Sequence, residues 1–145
     1  MGKMIIMRGV SGSGKSTRAK ELVQEFMDTN PDEQVLVCSA DQFFVNRETG
    51  GYEFDSKKLP AAHSYCRTRA EVAMELGIGL VVIDNTNTRK WEYEGYVALA
   101  NQYGYEAEVE MVGQLDDSNL KVYANRNKHG VDLEVVRAQA KRFET

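Results

Sequence analysis

Residues Gly9-Val10-Ser11-Gly12-Ser13-Gly14-Lys15-Ser16 fill every specified position of the pattern G-x-x-x-x-G-K-[ST]. The flanks agree with it. An apolar run, Met4 to Met7, precedes the loop. After it, Ala19, Leu22, Val23 and Phe26 recur at the i, i+3, i+4, i+7 spacing of a helix with one buried face. Strand, glycine loop and helix in that order make an anion cradle. Glycines let the backbone curl until successive N–H groups converge on phosphate oxygens. The helix start adds positive dipole at the same point. In such a cradle Lys15 carries a mobile cation to the β- and γ-phosphates, and the Ser16 hydroxyl ligates Mg²⁺. Gly9, Ser11, Gly12, Ser13, Gly14 and Thr17 complete the binding set. The expectation is a bound nucleoside triphosphate.

The rest of the chain repeats the alternation. Val35 to Cys38, Leu80 to Ile83 and Val109 to Val112 read as further strands. The first three runs are near-continuously aliphatic, as in parallel strands covered on both faces. The fourth is flanked by Glu106, Glu108 and Glu110 and reads as half exposed, nearer an edge. Helical stripes fall between them, from Leu59 to Leu76 and from Trp91 to Tyr103. Two more follow, about Asp117 to Asn125 and Leu133 to Phe143, with Asp132 as a cap. This pattern predicts an α/β fold of three layers, with a mostly parallel sheet of four to five strands and a C-terminal helical lid at about 115–145. A length of 145 residues fits a single domain over 1–145.

No apolar run approaches the roughly 20 residues that span a bilayer, and the N-terminus lacks a signal peptide's apolar region. The expectation is a cytoplasmic protein with no membrane partner. Cys38 and Cys66 have no metal-ligand spacing and read as small buried hydrophobes. Net charge is −4, which argues against broad electrostatic binding along a duplex. Residues 121–142 hold six basic and two acidic side chains, a net of +4, so the remainder carries −8. A basic C-terminal element on an acidic body suits phosphate recognition at one place; it also suits a solvated helix face.

Sites in parallel α/β sheets gather beyond the carboxyl ends of the strands. After the second strand comes Asp41, placed either to accept a proton from an attacking hydroxyl, to hold a metal through water, or to cap a helix. After the third comes Asp84, four aliphatics ending in a carboxylate, a candidate for the Mg²⁺ shell. No second acid follows it, which tilts the reading from water activation toward transfer to a hydroxyl. Asn85, Thr86 and Asn87 are either substrate contacts or turn residues. Arg126, one helix before a glycine-containing loop, is the candidate lid arginine that stabilises charge on the transferring group, with Lys128 and Arg137 as alternates and His129 in the loop. His63 lies near the apolar stripe of its helix. The stretch 47–55 with Phe43, Phe44, Tyr52 and Phe54 is either a substrate-side loop whose aromatics stack on bases or a plug between helix and sheet.

Taken with SADQFF, G-x-Y-x-F-D, AHSYCRTRA, VVIDNTNT, W-x-x-x-x-Y and NRNKHGV, the chain resembles the AAA-type P-loop domains related to polynucleotide kinase, including the kinase-like domains of Nedd4-binding proteins. The resemblance implies an ATP- and Mg²⁺-dependent kinase acting on a hydroxyl, most simply a 5′-OH nucleic acid end. It implies Lys15 and Ser16 on nucleotide and metal, Asp41 as general base and Arg126 as lid arginine. One position departs. Phage-type polynucleotide kinases carry an arginine three residues after the base aspartate, and Phe44 stands there. Either Arg47 or Arg89 replaces it, or the acceptor differs. The small size suits a stand-alone phage or bacterial enzyme, and some phage enzymes of this class phosphorylate a hydroxymethyl base within DNA. A small-molecule or nucleoside kinase and an ATP-sensing module are the rivals; the set Lys15, Ser16, Asp41 and Arg126 argues against the last, since binding alone needs no base.

Overall fold

A computed structural model describes residues 2–127 and 130–145. Its sheet has four strands, β1 (Lys3–Arg8), β2 (Val35–Cys38), β3 (Leu80–Asp84) and β4 (Glu106–Met111), in the order β2-β3-β1-β4. Every pairing is parallel. The strand that leads into the glycine loop is therefore central. The acid-flanked strand β4 takes an edge, as its alternation predicts. It begins at Glu106, three residues before the aliphatic run, because pairing with β1 starts at Lys3 opposite Glu106.

Helices α1 (Lys15–Thr29), α2 (Leu59–Glu75) and α3 (Lys90–Gln102) cover the sheet. The two-residue period of a strand sends neighbours to opposite faces. Ile5 and Met7 meet Ala19, Leu22, Val23 and Phe26 of α1. Met4 and Ile6 meet Cys66, Ala70 and Ala73 of α2 and Tyr96, Leu99 and Ala100 of α3. Both cysteines are buried and free, in keeping with a packing role. Helices α4 (Asp117–Arg126) and α5 (Leu133–Arg142) pack on each other and on Val10 of the glycine loop through Leu120, Tyr123 and Val136. Asp116 and Asp132 cap them, each accepting from a backbone N–H three residues on.

Two polar groups fix the carboxyl end of the sheet. Arg8, only 3 % exposed, donates to the carbonyls of Asn87 (2.8 Å), Thr88 (3.0 Å) and Glu144 (2.5 Å). Its guanidinium lies between the rings of Tyr93 and Phe143, 4.7 and 4.6 Å from their centroids. It thus binds the β3–α3 turn and the segment after α5 to the central strand. Asn87 adopts a left-handed φ of 46°, which asparagine tolerates better than most residues, and donates to the Met7 carbonyl at 2.8 Å. Among the described residues, no helix is long and apolar enough to cross a membrane.

Candidate active site

The strand register assembles the site. Met7 pairs with Asp84, and Cys38 with Ile83, so the residues after β1, β2 and β3 meet at one end of the sheet. They open into a cleft of about 1730 Å³, lined among others by Gly12, Lys15, Asp41, Asp84 and Arg126. Pockets for one small ligand run to about 1,000 Å³, so this cleft has room for two reactants.

The loop has the curled form its glycines predict. Gly12 and Gly14 take φ of 78° and 101°. At Gly12 a Cβ would sit 2.2 Å from the Tyr123 carbonyl oxygen, so α4 approaches the bare backbone there. The Arg126 Nε donates to the Gly12 carbonyl at 2.8 Å, with its guanidinium 5.1 Å from the Tyr123 ring centroid. The arginine from α4 is held directly on the loop. A second clamp comes from α5. Gln139, 7 % exposed, accepts from the Ser11 N–H at 2.8 Å and donates to the Ser11 hydroxyl at 3.0 Å.

Lys15 lies folded on its own loop, donating to the Val10 carbonyl at 3.3 Å. Burial lowers the pKa of its ammonium from the ordinary value, opposed by the Asp84 and then the Asp41 carboxylates. An anion entering the loop would supply the compensation that burial withholds. The Ser16 hydroxyl donates to Asp84 Oδ2 at 2.9 Å, bringing together the two residues expected around Mg²⁺. No cluster of three or more His, Cys, Asp or Glu side chains that could hold a metal occurs among the described residues. One hydroxyl and one carboxylate fit Mg²⁺, which keeps waters and takes other ligands from phosphates.

Asp41 is not the helix cap. It lies inside a short 3₁₀ helix, Ala40–Phe44, capped by Ser39, whose hydroxyl accepts from the Asp41 N–H, while Gln42 reaches back to the Ser39 N–H. Gln42 also donates to the Val37 carbonyl at 3.0 Å and meets Arg69 of α2, so the turn is tied to strand and helix. The Asp41 carboxylate is exposed to the cleft and accepts from the Tyr52 hydroxyl at 3.0 Å. Burial, then the Asp41 charge, raises the Tyr52 pKa, so the phenol keeps the proton it donates. Tyr52 is held by a backbone bridge to Val45 and by Phe44 and Phe54.

The remaining candidates divide. His63 and Asn85 line the cleft, and Thr17 lies at its loop end. The Asn85 amide is committed to the frame: its Oδ1 accepts from the Ala40 N–H at 2.8 Å and its Nδ2 donates to the Cys66 sulfur at 3.6 Å. Four of the six acceptor-side candidates are not among the cleft-lining residues, and neither are Gly9 and Ser13 of the loop. Phe44 is 4 % exposed and packs on Ala40 and Ala62, which answers to the plug and not to a base platform. Asn87 points its amide into the core, as described above. Arg47 is exposed on the loop of the Val45–Tyr52 bridge, and Arg89 is exposed at the α3 N-cap. Arg137, an alternate lid residue, is bound to Asp117 of α4 at 2.8 and 3.0 Å. Lys128 and His129 lie outside the described residues. Tyr52 as a partner of Asp41, and Gln139 as a clamp on the loop, are contacts the sequence reading did not assign. No local pattern marks Gln139, which lies 128 residues from its partner.

This fold and site define a P-loop domain of the kinase-like type. The chain belongs to the AAA_33 family of AAA domains, whose model matches residues 4–145. It is 36 % identical over 133 residues to the human NEDD4-binding protein 2, covering 92 % of this chain and 7 % of that protein. It is 30 % identical over 142 residues to Uncharacterized protein PM0531 of Pasteurella multocida (strain Pm70), covering 94 % of this chain and 73 % of that one. Among solved structures it is similar to the Pnkp1/Rnl/Hen1 RNA repair complex, with a TM-score of 0.69, 11 % identity, and 97 % of this chain and 43 % of that chain covered. Chaetomium thermophilum Kti12 in complex with ADP-AlF3 gives a TM-score of 0.66 at 16 % identity, covering 98 % and 80 %. A gluconokinase from Sinorhizobium meliloti 1021 gives 0.61 at 13 % identity, covering 99 % and 75 %. The fold is thus shared by a component of an RNA repair complex and by a gluconokinase.

Proposed function

We propose that the protein is an ATP-dependent kinase that transfers the γ-phosphoryl group to a hydroxyl of nucleic acid, most simply a 5′-OH polynucleotide end. The observation that carries the reading is the meeting of Lys15, the Ser16–Asp84 pair, Arg126 and the Asp41 carboxylate in one cleft with room for donor and acceptor. Two similar folds, one from an RNA repair complex and one bound to ADP-AlF3, support a polymer acceptor and a nucleotide donor.

The loop amides, Lys15 and Arg126 bind and orient the triphosphate and balance charge that spreads onto the transferring group. Asp41 takes the proton of the acceptor hydroxyl as its oxygen attacks. Tyr52 donates to Asp41 Oδ1 and helps to orient the carboxylate. Bound by Ser16 and Asp84, Mg²⁺ supplies further charge neutralisation on the phosphates.

Incubation with γ-labelled ATP and a panel of acceptors tests the reading: 5′-OH DNA, 5′-OH RNA, DNA with a hydroxymethyl base, free nucleosides and gluconate. Label on a polynucleotide is the expected result. Label on a nucleoside or gluconate and on no polymer would make it a small-molecule kinase. Tight ATP binding with no transfer would make it a sensor.

A further inference from the structure

The cleft has a wall that the donor machinery does not use, formed where α2 faces the first turns of α3. Trp91 stands there 71 % exposed and lines the cleft. It is the only tryptophan of the chain. A large aromatic left in water inside a cleft is a surface awaiting a partner, whereas Tyr96, one turn and a little further along the same helix, is buried at 6 %. Gly95 lies four residues after Trp91, on the same helix face about 6 Å along the axis. The guanidinium of Arg67, from α2, rests there: its Nη1 is the nearest atom to where a Gly95 Cβ would be, at 3.4 Å. A glycine inside a helix costs about 1 kcal/mol relative to alanine. Here its bare backbone lets the cation lie flat against α3, one turn from the indole.

Arg67 is exposed and lines the cleft, and among the described residues it has no hydrogen bond or ion pair. The other cleft cations are engaged. Arg18 binds Glu110 at 2.9 Å, Arg126 binds Gly12, and Arg142 donates to the Thr88 hydroxyl at 3.2 Å. Of the acids on this wall, Glu92 is spent on the Thr88 N–H and hydroxyl, both at 3.0 Å. A fork of five donors with no acceptor, beside an open indole face, matches a ligand carrying both a planar ring and an anion.

We infer that Trp91 and Arg67 form the acceptor seat, in which the indole stacks on a nucleobase and the guanidinium binds the phosphate attached to that nucleotide. This rests on the kinase reading above and narrows it to single-stranded polynucleotide. A sugar acid would leave the indole face uncovered, and a free nucleoside would leave Arg67 without its anion. Stacking on an aromatic contributes about 1–3 kcal/mol per base and tolerates any base, so the seat is one for strand ends without sequence preference.

The single tryptophan gives a test that needs no turnover. A short 5′-OH oligonucleotide should quench Trp91 fluorescence, and the same strand with an abasic first residue should not. Arg67→Gln should weaken the quenching titration at least tenfold and flatten its salt dependence. In the transfer assay, Arg67→Gln and Trp91→Leu should raise KM for the oligonucleotide about tenfold or more with little change in kcat and none in KM for ATP. Circular dichroism and thermal melting of both variants check that they fold. Quenching without transfer would leave the seat standing and remove the kinase. Transfer to polynucleotide with no quenching, and with KM unchanged in both variants, would overturn the seat and leave the kinase.

Discussion

The Tyr52 hydroxyl donates to Asp41 Oδ1 at 3.0 Å, across a stretch of eleven residues closed by the Val45–Tyr52 bridge. The contact makes the loop part of the surroundings of the Asp41 carboxylate, not a cover over it. A hydrogen bond to a charged group is worth about 1.5–3 kcal/mol. Tyr52→Phe keeps the ring among Phe44 and Phe54 and removes only the donor. Phosphoryl transfer should fall about tenfold in kcat, with ATP affinity unchanged by calorimetry. Unaltered kcat would mean that the Tyr52 hydrogen bond does not orient Asp41 for transfer.

Asp41 and Lys15 should separate chemistry from binding. Asp41→Asn keeps the shape and removes the proposed base, so ATP should bind as before while turnover drops about 10²-fold or more. Lys15→Ala should remove transfer altogether, because the cation that balances the transferring group is gone. Single-turnover assays beside nucleotide titrations distinguish the two. An Asp41→Asn variant at full rate would strip the carboxylate of its assigned part.

At Gly12 the expected effect is steric as well as conformational. Alanine there meets the Tyr123 carbonyl at 2.2 Å and must also hold φ at 78°. Gly50 has a similar φ of 74° but nothing within 4 Å of a Cβ. Gly50→Ala therefore measures the φ strain alone, about 1–2 kcal/mol. Gly12→Ala should lose clearly more in urea denaturation and should also lose nucleotide binding, since α4 and Arg126 are displaced from the loop. Equal losses in the two variants would show that the close approach of α4 carries no weight.

Arg8 predicts a stability effect remote from the loop. Arg8→Met fills much of the volume but leaves the Asn87 and Glu144 carbonyls without the donor they face, while the Thr88 carbonyl keeps the Glu144 N–H at 2.7 Å. Loss of such buried partners costs about 1–3 kcal/mol per orphaned group, partly recovered by water. A net loss of about 3 kcal/mol is expected, read as a fall in Tm of about 10 °C. Because Arg8 also anchors the segment after α5, limited proteolysis should cut the variant near Phe143 first.

The periodic elements were legible because burial repeats locally. Leu80 to Ile83 is aliphatic on both faces and became a covered strand; Glu106, Glu108 and Glu110 marked an edge. The loop was legible because its backbone demands glycine at Gly12 and Gly14. Residues after the strands were harder, since a polar side chain there can turn to either side. Asp41 and Asp84 face the cleft, while Asn87 turns into the core to satisfy Met7. Phe44 looked like a changed acceptor contact and is instead the residue that fixes the loop under Tyr52 and Phe54. Arg8 and Gln139 act on partners 79 to 136 residues away, and no local pattern reports such contacts.

The last prediction concerns alkaline pH and the end of β2. Burial pushes the Cys38 thiol up to about 12 from an ordinary 9.0, with the Cys66 thiol adding to the rise and Arg69 opposing it. Below pH 9 the thiol is protonated in both folded and unfolded chains and contributes no pH dependence. Between about 9 and 12 the unfolded chain releases the proton while the folded one keeps it, so the unfolded state binds fewer protons and stability falls as pH rises. Half of that window corresponds to about 2 kcal/mol. Urea midpoints for the native protein should therefore drop between pH 8 and pH 10.5 by more than those of Cys38→Ala, whatever the two proteins' absolute stabilities. By the same burial, neither thiol should react with iodoacetamide at pH 8 until denaturant is added. Parallel pH slopes in the two proteins would mean that Cys38 ionises in the fold as readily as in water, and that β2 opens at its end.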